Sequence, residues 1–398
     1  MSVYDRLGVP TLINARGTVT RLSGGMMRAE AVSAMAEAST ACVDMADLQA
    51  AASREIAALT GAEAGYVASG AAACLLLAAA AVMSRLDPSR MARLPDTRGM
   101  PDELVMVRSQ RNAYDHALRG AGAVIVEVGL PDRYAGAGVR DAALWEIEAA
   151  ICERTAAIVH VASRDAMPPL PDVAALARRR GIPVIVDAAA ELPPQSNLTR
   201  FVAEGADLVA FSGGKAIGGP QASGFLAGRR DLVMSAALQH LDLDVHEDLW
   251  CPPPGLVDRD LLPGLPRNGI GRPCKVGKEE VVGLLTALRL FVEEGDAARH
   301  ARWLARLRPV EEAIRSTGRA DVRIEGGTDT GAVPLLAVKL RPPAPDAAVL
   351  IRRLLDGDPA IHVDDSRRHL GEVVINPIAL AEADLQSLAG RLADLLSR

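Results

Sequence analysis

The chain has 398 residues, of which 49% are apolar, 24% charged and only 3% aromatic, and its formal net charge is -6. The acidic balance excludes a large nucleic-acid footprint, which needs a basic face, and the length and apolar content fit a globular chain of two to three domains with ample core. The five cysteines, Cys42, Cys74, Cys152, Cys251 and Cys274, are scattered without metal-ligand spacing, so they read as reduced thiols in a cytoplasmic protein and no metal site is expected. No basic flank leads into an apolar core near the start, and the longest apolar run, Ala71 to Met83, is too short to span a bilayer. The expectation is a chain without signal peptide or membrane partner.

In chain order, residues 1–11 read as an arm, and Leu12 to Thr18 as a short extended piece ending in a polar turn. Helices are predicted from Arg28 to about Thr40 and from Asp47, a candidate cap, to Leu59, with Gly61 as the stop. Gly65 to Leu75 reads as a strand, a Ser-Gly turn and a long apolar helix. The start of that helix offers free N–H groups and the positive end of the dipole, with Ser69 as a further donor. On this fragment alone an ordinary serine cap on a core helix is the favoured reading.

Strand Glu103 to Arg108 then leads into a helix predicted from Gln110. Strand Ala123 to Val128, helix Ala142 to Glu153, strand Ala156 to Val161, helix Pro171 to Arg180 and strand Pro183 to Val186 follow. This alternation predicts an α/β fold with a mostly parallel sheet sandwiched by helices. Two further strands, Asp207 to Phe211 and Ser223 to Ala227, flank a glycine-rich loop. Leu241 to Arg272 is rich in Pro and Gly and reads as a long ordered loop. A long helix to about Glu294 and a helical linker come next. The C-terminal part reads as strand, strand, helix, strand, strand, helix, a smaller α+β domain. The expected domains are 1–60 (arm and helices), 61–245 (large domain), 246–274 (ordered loop) and 275–398 (C-terminal domain with its linker helix).

Two strand ends carry the chemistry. Ser212-Gly213-Gly214-Lys215 follows the first of the flanking strands, and Gly218-Gly219-Pro220-Gln221 follows the lysine. The glycines let the backbone approach a flat or anionic ligand, and a partly desolvated lysine on a turn can form a Schiff base. A solvated lysine in a surface turn is an equal reading of this stretch alone. Asp187, at the end of the strand Pro183 to Val186, reads on its own as a cap or turn residue. The pair changes the balance, because ligands bind outside the carboxyl ends of strands in open α/β sheets. A strand-end lysine with a strand-end aspartate is what pyridoxal 5′-phosphate requires: the lysine forms the Schiff base, and the carboxylate keeps the pyridine nitrogen protonated. A ring near the next helix start, Tyr114 or His116, could stack on that pyridine, although a helical histidine is more often structural. Arg272, Lys275 and Lys278 stand where a loop enters a helix, a candidate anion site or a solvated basic turn.

Taken together, Ser69-Gly70-Ala71-Ala72-Ala73, Val186-Asp187-Ala188-Ala189, Phe211 to Lys215 with Gly218 to Gln221, and Gly271 to Lys278 resemble the type I (aspartate aminotransferase-like) pyridoxal-phosphate enzymes. More closely, the chain resembles the branch containing bacterial selenocysteine synthase and D-glucosaminate-6-phosphate ammonia-lyase. The resemblance covers nearly the whole chain from Leu12. It implies Lys215 as the Schiff-base lysine and Asp187 as the pyridinium partner, with Ser69, Gly70, Ala71 and Ser212 at the cofactor phosphate. It also implies a homodimer or higher homo-oligomer with shared sites, in which the loop with Gly219 and Gln221 reaches the partner's cofactor. Selenocysteine synthase-like sequences carry an acidic residue where Gly214 stands here, and many relatives carry a polar residue where Ala190 stands. They also carry a tRNA-binding module ahead of the Ile-Asn-Ala stretch, which here begins near residue 12 in an acidic chain. The expected substrate is therefore a small amino acid and not a tRNA.

The resulting expectation is a pyridoxal-phosphate-dependent lyase that eliminates a β-substituent from a small hydroxy amino acid, possible forms being phosphorylated or D-configured, to give a 2-keto acid and ammonia. Racemisation, aldol cleavage and transamination use the same residues, and a non-catalytic regulatory protein of the same fold is the reading from another class. Asn14, Arg16, Arg272 and Lys275 are the expected substrate-binding residues, with Arg272 and Lys275 as the anion ligands and Arg16 or Arg21 as the alternative carboxylate clamp.

Overall fold

The structure is a computed structural model that describes residues 2–130, 141–327 and 331–397. The N-terminal elements are α1 (Val3–Leu7), β1 (Leu12–Ala15), α2 (Ala29–Ala38), α3 (Met45–Thr60), β2 (Ala64–Ala68), α4 (Ala71–Ser84) and α5 (Pro88–Met91). The alternating stretch follows with β3 (Glu103–Val107), α6 (Asp115–Gly120), β4 (Val124–Val128), α7 (Leu144–Ala150), β5 (Thr155–Val161), α8 (Leu170–Arg180), β6 (Val184–Asp187) and α9 (Asn197–Ala203). Next come β7 (Leu208–Ser212), β8 (Gly224–Gly228), α10 (Arg230–His240) and α11 (Lys278–Ser316). The chain closes with β9 (Ala320–Glu325), β10 (Leu335–Leu340), α12 (Ala347–Leu355), β11 (Ala360–Val363), β12 (Glu372–Ile375) and α13 (Leu385–Ser397). The chain forms two units, residues 28–192 with 196–288, and residues 1–27 with 193–195 and 289–398.

The larger unit is built on a seven-stranded sheet in the order β2-β8-β7-β6-β5-β3-β4. Strands β7, β6, β5, β3 and β4 are parallel, and β8 runs antiparallel to both β2 and β7. Val184, Ile185 and Val186 are fully buried, as are Leu208, Val209, Ala210 and Phe211. Strands apolar on both faces belong inside a helix-covered parallel sheet, because the crossover helices dry both sides. Helix α4 is apolar all round, and nearly every residue from Ala73 to Ser84 is buried. A helix without a polar face can only be stable inside the core, and its alanines let α10 and the sheet approach closely.

The smaller unit holds the three-stranded antiparallel sheet β12-β10-β9 and the parallel pair β1-β11. Its core joins Leu336, Val338, Leu350, Ile361, Leu392 and Ile13. Helix α11 contains one non-helical residue, Gly295 (φ 69, ψ 164). Past that break the fully buried Arg299 lies over the Phe291 ring and pairs with Asp296 at 2.6 Å. The Asp296 carboxylate also accepts the Gln195 N–H at 2.9 Å, which ties residues 193–195 into this unit.

Several elements differ from the sequence reading. The helix cap at α3 is Asp44, whose Oδ1 accepts the N–H groups of Ala46 (2.7 Å) and Asp47 (3.3 Å), so Asp47 lies inside the helix it was expected to cap. The helix expected from Gln110 begins at Asp115. Asn112 explains the delay: its side chain accepts the Tyr114 N–H at 2.8 Å, a local bond that competes with helical pairing. Helices α1, α5 and α9 are not among the elements read from the sequence. All three are short, so none shows a sustained apolar stripe, and α1 opens on a reciprocal Ser2–Asp5 cap.

Candidate active site

Asp187 is the last residue of β6. It pairs with Ala210 on β7 and Val161 on β5, so the sheet itself sets its position. The side chain is half-buried, and Oδ1 accepts the Ala189 N–H at 3.0 Å. Oδ2 takes no hydrogen bond among the described residues. Burial pushes this carboxyl above the usual carboxylate range, while the Ala189 N–H and the Lys215 charge oppose the shift. The group therefore has one oxygen to offer a buried cationic donor.

Lys215 stands on the loop between β7 and β8. That loop is closed by Gly213 N–H to the Ser223 carbonyl (2.9 Å), Gly219 N–H to the Gly213 carbonyl (3.0 Å) and Ser223 Oγ–H to the Pro220 carbonyl (2.6 Å). Its strands pass so closely that a Cβ on Gly214 would lie 2.6 Å from Gln221 Cα. An acidic residue before the lysine, as in selenocysteine synthase-like sequences, has no room in this loop. The Lys215 amine is half-buried and has no hydrogen-bond or ion-pair partner among the described residues. Burial pulls it below the usual lysine range, and Asp187 and Glu191 push it back.

Glu191 is a residue the sequence reading passed over. It follows Asp187 by one turn, with its N–H on the Ala188 carbonyl (3.2 Å) and its own carbonyl holding Asn197 Nδ2 (2.6 Å). Burial raises its carboxyl above the usual range, Asp187 adds to the rise, and Arg200 and Lys215 oppose it. A second carboxylate close behind a strand-end aspartate was the available signal.

Helix α4 starts beside this cluster in the sheet order, after Gly70 (φ 121), with no side-chain cap on its N-terminus. A Cβ on Gly70 would meet nothing within 4 Å, so this helix start faces open space. Gly224 of β8 packs against the same turn: a Cβ there would lie 2.6 Å from the Ala71 nitrogen. The Ser69 hydroxyl does not cap the helix. It donates to the Cys274 carbonyl at 2.8 Å, so its proton is already committed. Ser212 is half-buried at the end of β7, opposite Gly224, Gly219 is buried, and Gln221 is exposed.

Tyr114 is 64% exposed, and His116 is exposed beside Arg119, whose Nη2 lies 2.9 Å from its Nδ1. The narrow cleft at Asp187 is lined instead by Asn112, Asp115, Leu75 and Val161. Asp115 is buried and paired with Arg111 and Arg119.

The basic turn is ordered differently from a solvated loop. Arg272 Nη1 donates to the His240 carbonyl at 2.7 Å and Nη2 to Asp242 Oδ2 at 2.9 Å. Lys275 is exposed, without a hydrogen-bond or ion-pair partner among the described residues. Both line a cavity of about 200 Å³ with Gln49, Tyr66, His240 and Asp242. In the smaller unit, the buried Asn14 spends its side chain on its own turn, donating to the Gly17 carbonyl (2.9 Å) and accepting the Arg16 N–H (3.0 Å). Arg16 pairs with Asp365 at 2.8 Å. Among the described residues no group of three or more His, Cys, Asp and Glu side chains could hold a metal ion, and no helix is long and apolar enough to cross a membrane.

Comparison with known proteins bears on the same residues. Residues 12–244 match the L-seryl-tRNA selenium transferase family. The chain is 33% identical to a 5′-C-glycyluridine monooxygenase-decarboxylase of a Streptomyces species, over 99% of this chain and 92% of that one. It is 31% identical to the D-glucosaminate-6-phosphate ammonia lyase of Salmonella typhimurium, over 99% and 98%. The solved structure of D-glucosaminate-6-phosphate ammonia-lyase superposes with a TM-score of 0.81 at 30% identity, covering 100% of this chain and 98% of that one.

Proposed function

From the premise that the chain belongs to the L-seryl-tRNA selenium transferase family of type I pyridoxal-phosphate enzymes, we propose that it is a lyase of the ammonia-lyase type acting on a small hydroxy amino acid. The single observation that carries the reading is the Asp187–Lys215 pair, a half-buried carboxylate with one open oxygen at the end of β6 and, on the loop after the adjacent β7, a half-buried, unpaired amine whose charge acts on it.

These residues suit pyridoxal 5′-phosphate. The Lys215 amine would join its carbonyl carbon, Asp187 Oδ2 would take its pyridinium N–H, and Ser212 with the N–H groups that follow Gly70 would take its phosphate. When bound, the cofactor supplies an electron sink for the pair left at the substrate's α-carbon. Asp187 keeps that sink effective because only an anion holds a proton on the ring nitrogen. Once the substrate's own amino group has displaced it from that carbon, the freed Lys215 amine, kept neutral by its burial, would remove the α-proton as general base. Departure of a β-hydroxyl, followed by hydrolysis, gives a 2-keto acid and ammonia. Arg272 and Lys275 are the proposed ligands of the substrate's anionic groups, and Asn14 and Arg16 serve their own turn and Asp365.

The ammonia lyase supports elimination by its coverage of the whole chain and its superposition. The monooxygenase-decarboxylase supports the alternative, oxidative loss of a carboxylate. The test is a screen of the cofactor-loaded protein with D- and L-hydroxy amino acids and their phosphorylated forms, measuring ammonia, keto acid, carbon dioxide and oxygen uptake. Equimolar ammonia and keto acid without oxygen uptake is the expected result. Carbon dioxide release with oxygen uptake would assign the alternative, and interconversion of enantiomers without ammonia would assign a racemase. Light scattering of the same preparation is expected to give a homodimer or a higher homo-oligomer.

A further inference from the structure

Tyr66, His240, Cys274 and Ser69 form one chain of hydrogen bonds, buried at its Tyr66–His240 end. His240 is 3% exposed. Its Nε2 lies 2.7 Å from the Cys274 carbonyl oxygen, and its Nδ1 lies 2.9 Å from the Tyr66 hydroxyl. A carbonyl only accepts, so Nε2 carries the proton, Nδ1 presents its lone pair, and Tyr66 donates. The Tyr66 ring meets the imidazole edge-on, with centroids 5.4 Å apart and planes at 87°. Burial and the Arg272 charge hold the imidazole below its ordinary pKa, against the bond to Cys274, so the neutral tautomer persists.

The end of α10 holds the whole basic turn. Gly271 N–H donates to the Gln239 carbonyl at 2.8 Å, and Ile270 N–H reaches Gln239 Oε1 at 3.3 Å. A Cβ at Gly271 would lie 2.7 Å from that Gln239 carbonyl oxygen, so the approach leaves no slack. Arg272 closes the ring by donating to the carbonyl of His240 itself. The turn is thus gripped at both ends by two consecutive residues. The Cys274 oxygen, shared with Ser69, joins it to the start of α4.

We propose that His240 is a positioning residue for anion binding: by holding the Cys274 carbonyl it aims Arg272 and Lys275 into their cavity in register with the Ser69–Gly70 turn. This rests on the reading of Arg272 and Lys275 as anion ligands. Glutamine can still present an amide N–H near the place of Nε2, whereas leucine of similar bulk cannot.

The test measures binding of inorganic phosphate to cofactor-loaded protein by calorimetry, with the absorbance of the bound cofactor and the thermal midpoint recorded for each variant. His240→Leu is expected to weaken phosphate binding roughly tenfold, the scale of one lost hydrogen bond in a buried site. His240→Gln is expected to bind within about twofold of wild type. Tyr66→Phe, which leaves Nδ1 without its donor, is expected to weaken binding about two- to threefold and stands in if His240→Leu does not fold. A lower melting point with unchanged phosphate affinity in these variants, or failure of glutamine to rescue, overturns the proposal and leaves the anion reading intact. Lys275→Ala separates the two: if it too leaves phosphate affinity unchanged, or wild type binds none, the anion reading itself fails and takes this inference with it.

Discussion

Asp187 and Lys215 each lean toward neutrality because they are buried, and each pulls the other back toward charge. Asp187 ends β6, where it pairs with Ala210 of β7, and Lys215 stands on the loop that follows β7. Sheet pairing fixes the carboxylate, and the hydrogen bonds that close the glycine-rich loop hold the segment that carries the amine.

On the proposed reading, Lys215 is the site of covalent attachment. Borohydride treatment of cofactor-loaded protein is expected to fix the chromophore on the peptide that contains Lys215, and Lys215→Ala to carry none. Label on Lys275 or Lys278 would refute the assignment.

Asp187→Asn keeps the hydrogen-bonding shape and loses the anion. It is expected to bind the cofactor and to lower kcat about a hundredfold or more, the usual scale for removing one electrostatic stabiliser. Near-normal turnover would point to a racemase, which works with a weaker electron sink.

The same substitution has a stability consequence in cofactor-free protein. A carboxyl whose folded pKa is raised contributes stability that is present below its unfolded pKa of 3.8 and is lost as pH rises through the folded value. Asp187→Asn removes that loss. The variant is expected to melt above wild type at neutral pH, with the difference vanishing near pH 3. Equal melting across the range would show that burial costs this carboxylate nothing.

Glu191 raises the lysine pKa, so its neutralisation should let the value fall further. In cofactor-free Glu191→Gln, the midpoint for acylation of Lys215 against pH is expected at lower pH than in wild type. A shift to higher pH, or none, would place Glu191 outside the cluster's field.

The close passage at Gly214 predicts a packing penalty without loss of chemistry. Gly214→Ala is expected to destabilise by about 1–3 kcal/mol, as overpacked sites do, seen as a lower denaturant midpoint. A wild-type midpoint would mean that the Gln221 segment yields easily.

Arg272→Lys cannot reproduce the fork that holds both the His240 carbonyl and Asp242. The Michaelis constant is expected to rise about ten- to hundredfold for every substrate, with the absorbance of the bound cofactor unchanged. Lys275→Ala is expected to affect acidic or phosphorylated substrates and to spare neutral ones. If both keep wild-type constants, neither cation touches the substrate.

By itself the sequence determined the order of strands and helices through the large sheet, because buried parallel strands are short continuous apolar runs bounded by Gly, Pro and Asp. It also determined that Asp187 and Lys215 follow such runs, and strand-end residues gather at one edge of any parallel sheet. The apolar run after Gly70 could only be a core helix. Tertiary structure decided the rest. The start of α6 depended on a local Asn112 bond, and that start left Asn112 and Asp115, not the rings of Tyr114 and His116, at the Asp187 cleft. The pairing of β1 with β11 and the bond from Tyr66 to His240 join residues far apart in the chain, which no local pattern encodes. Hydroxyl and guanidinium partners were likewise out of reach. Whether Ser69 faces a ligand or the Cys274 carbonyl, and whether Arg272 is free or held by His240 and Asp242, depends on which backbone oxygens folding brings within 3 Å, and hydrogen bonding at that range is decided by three-dimensional placement and not by residue type.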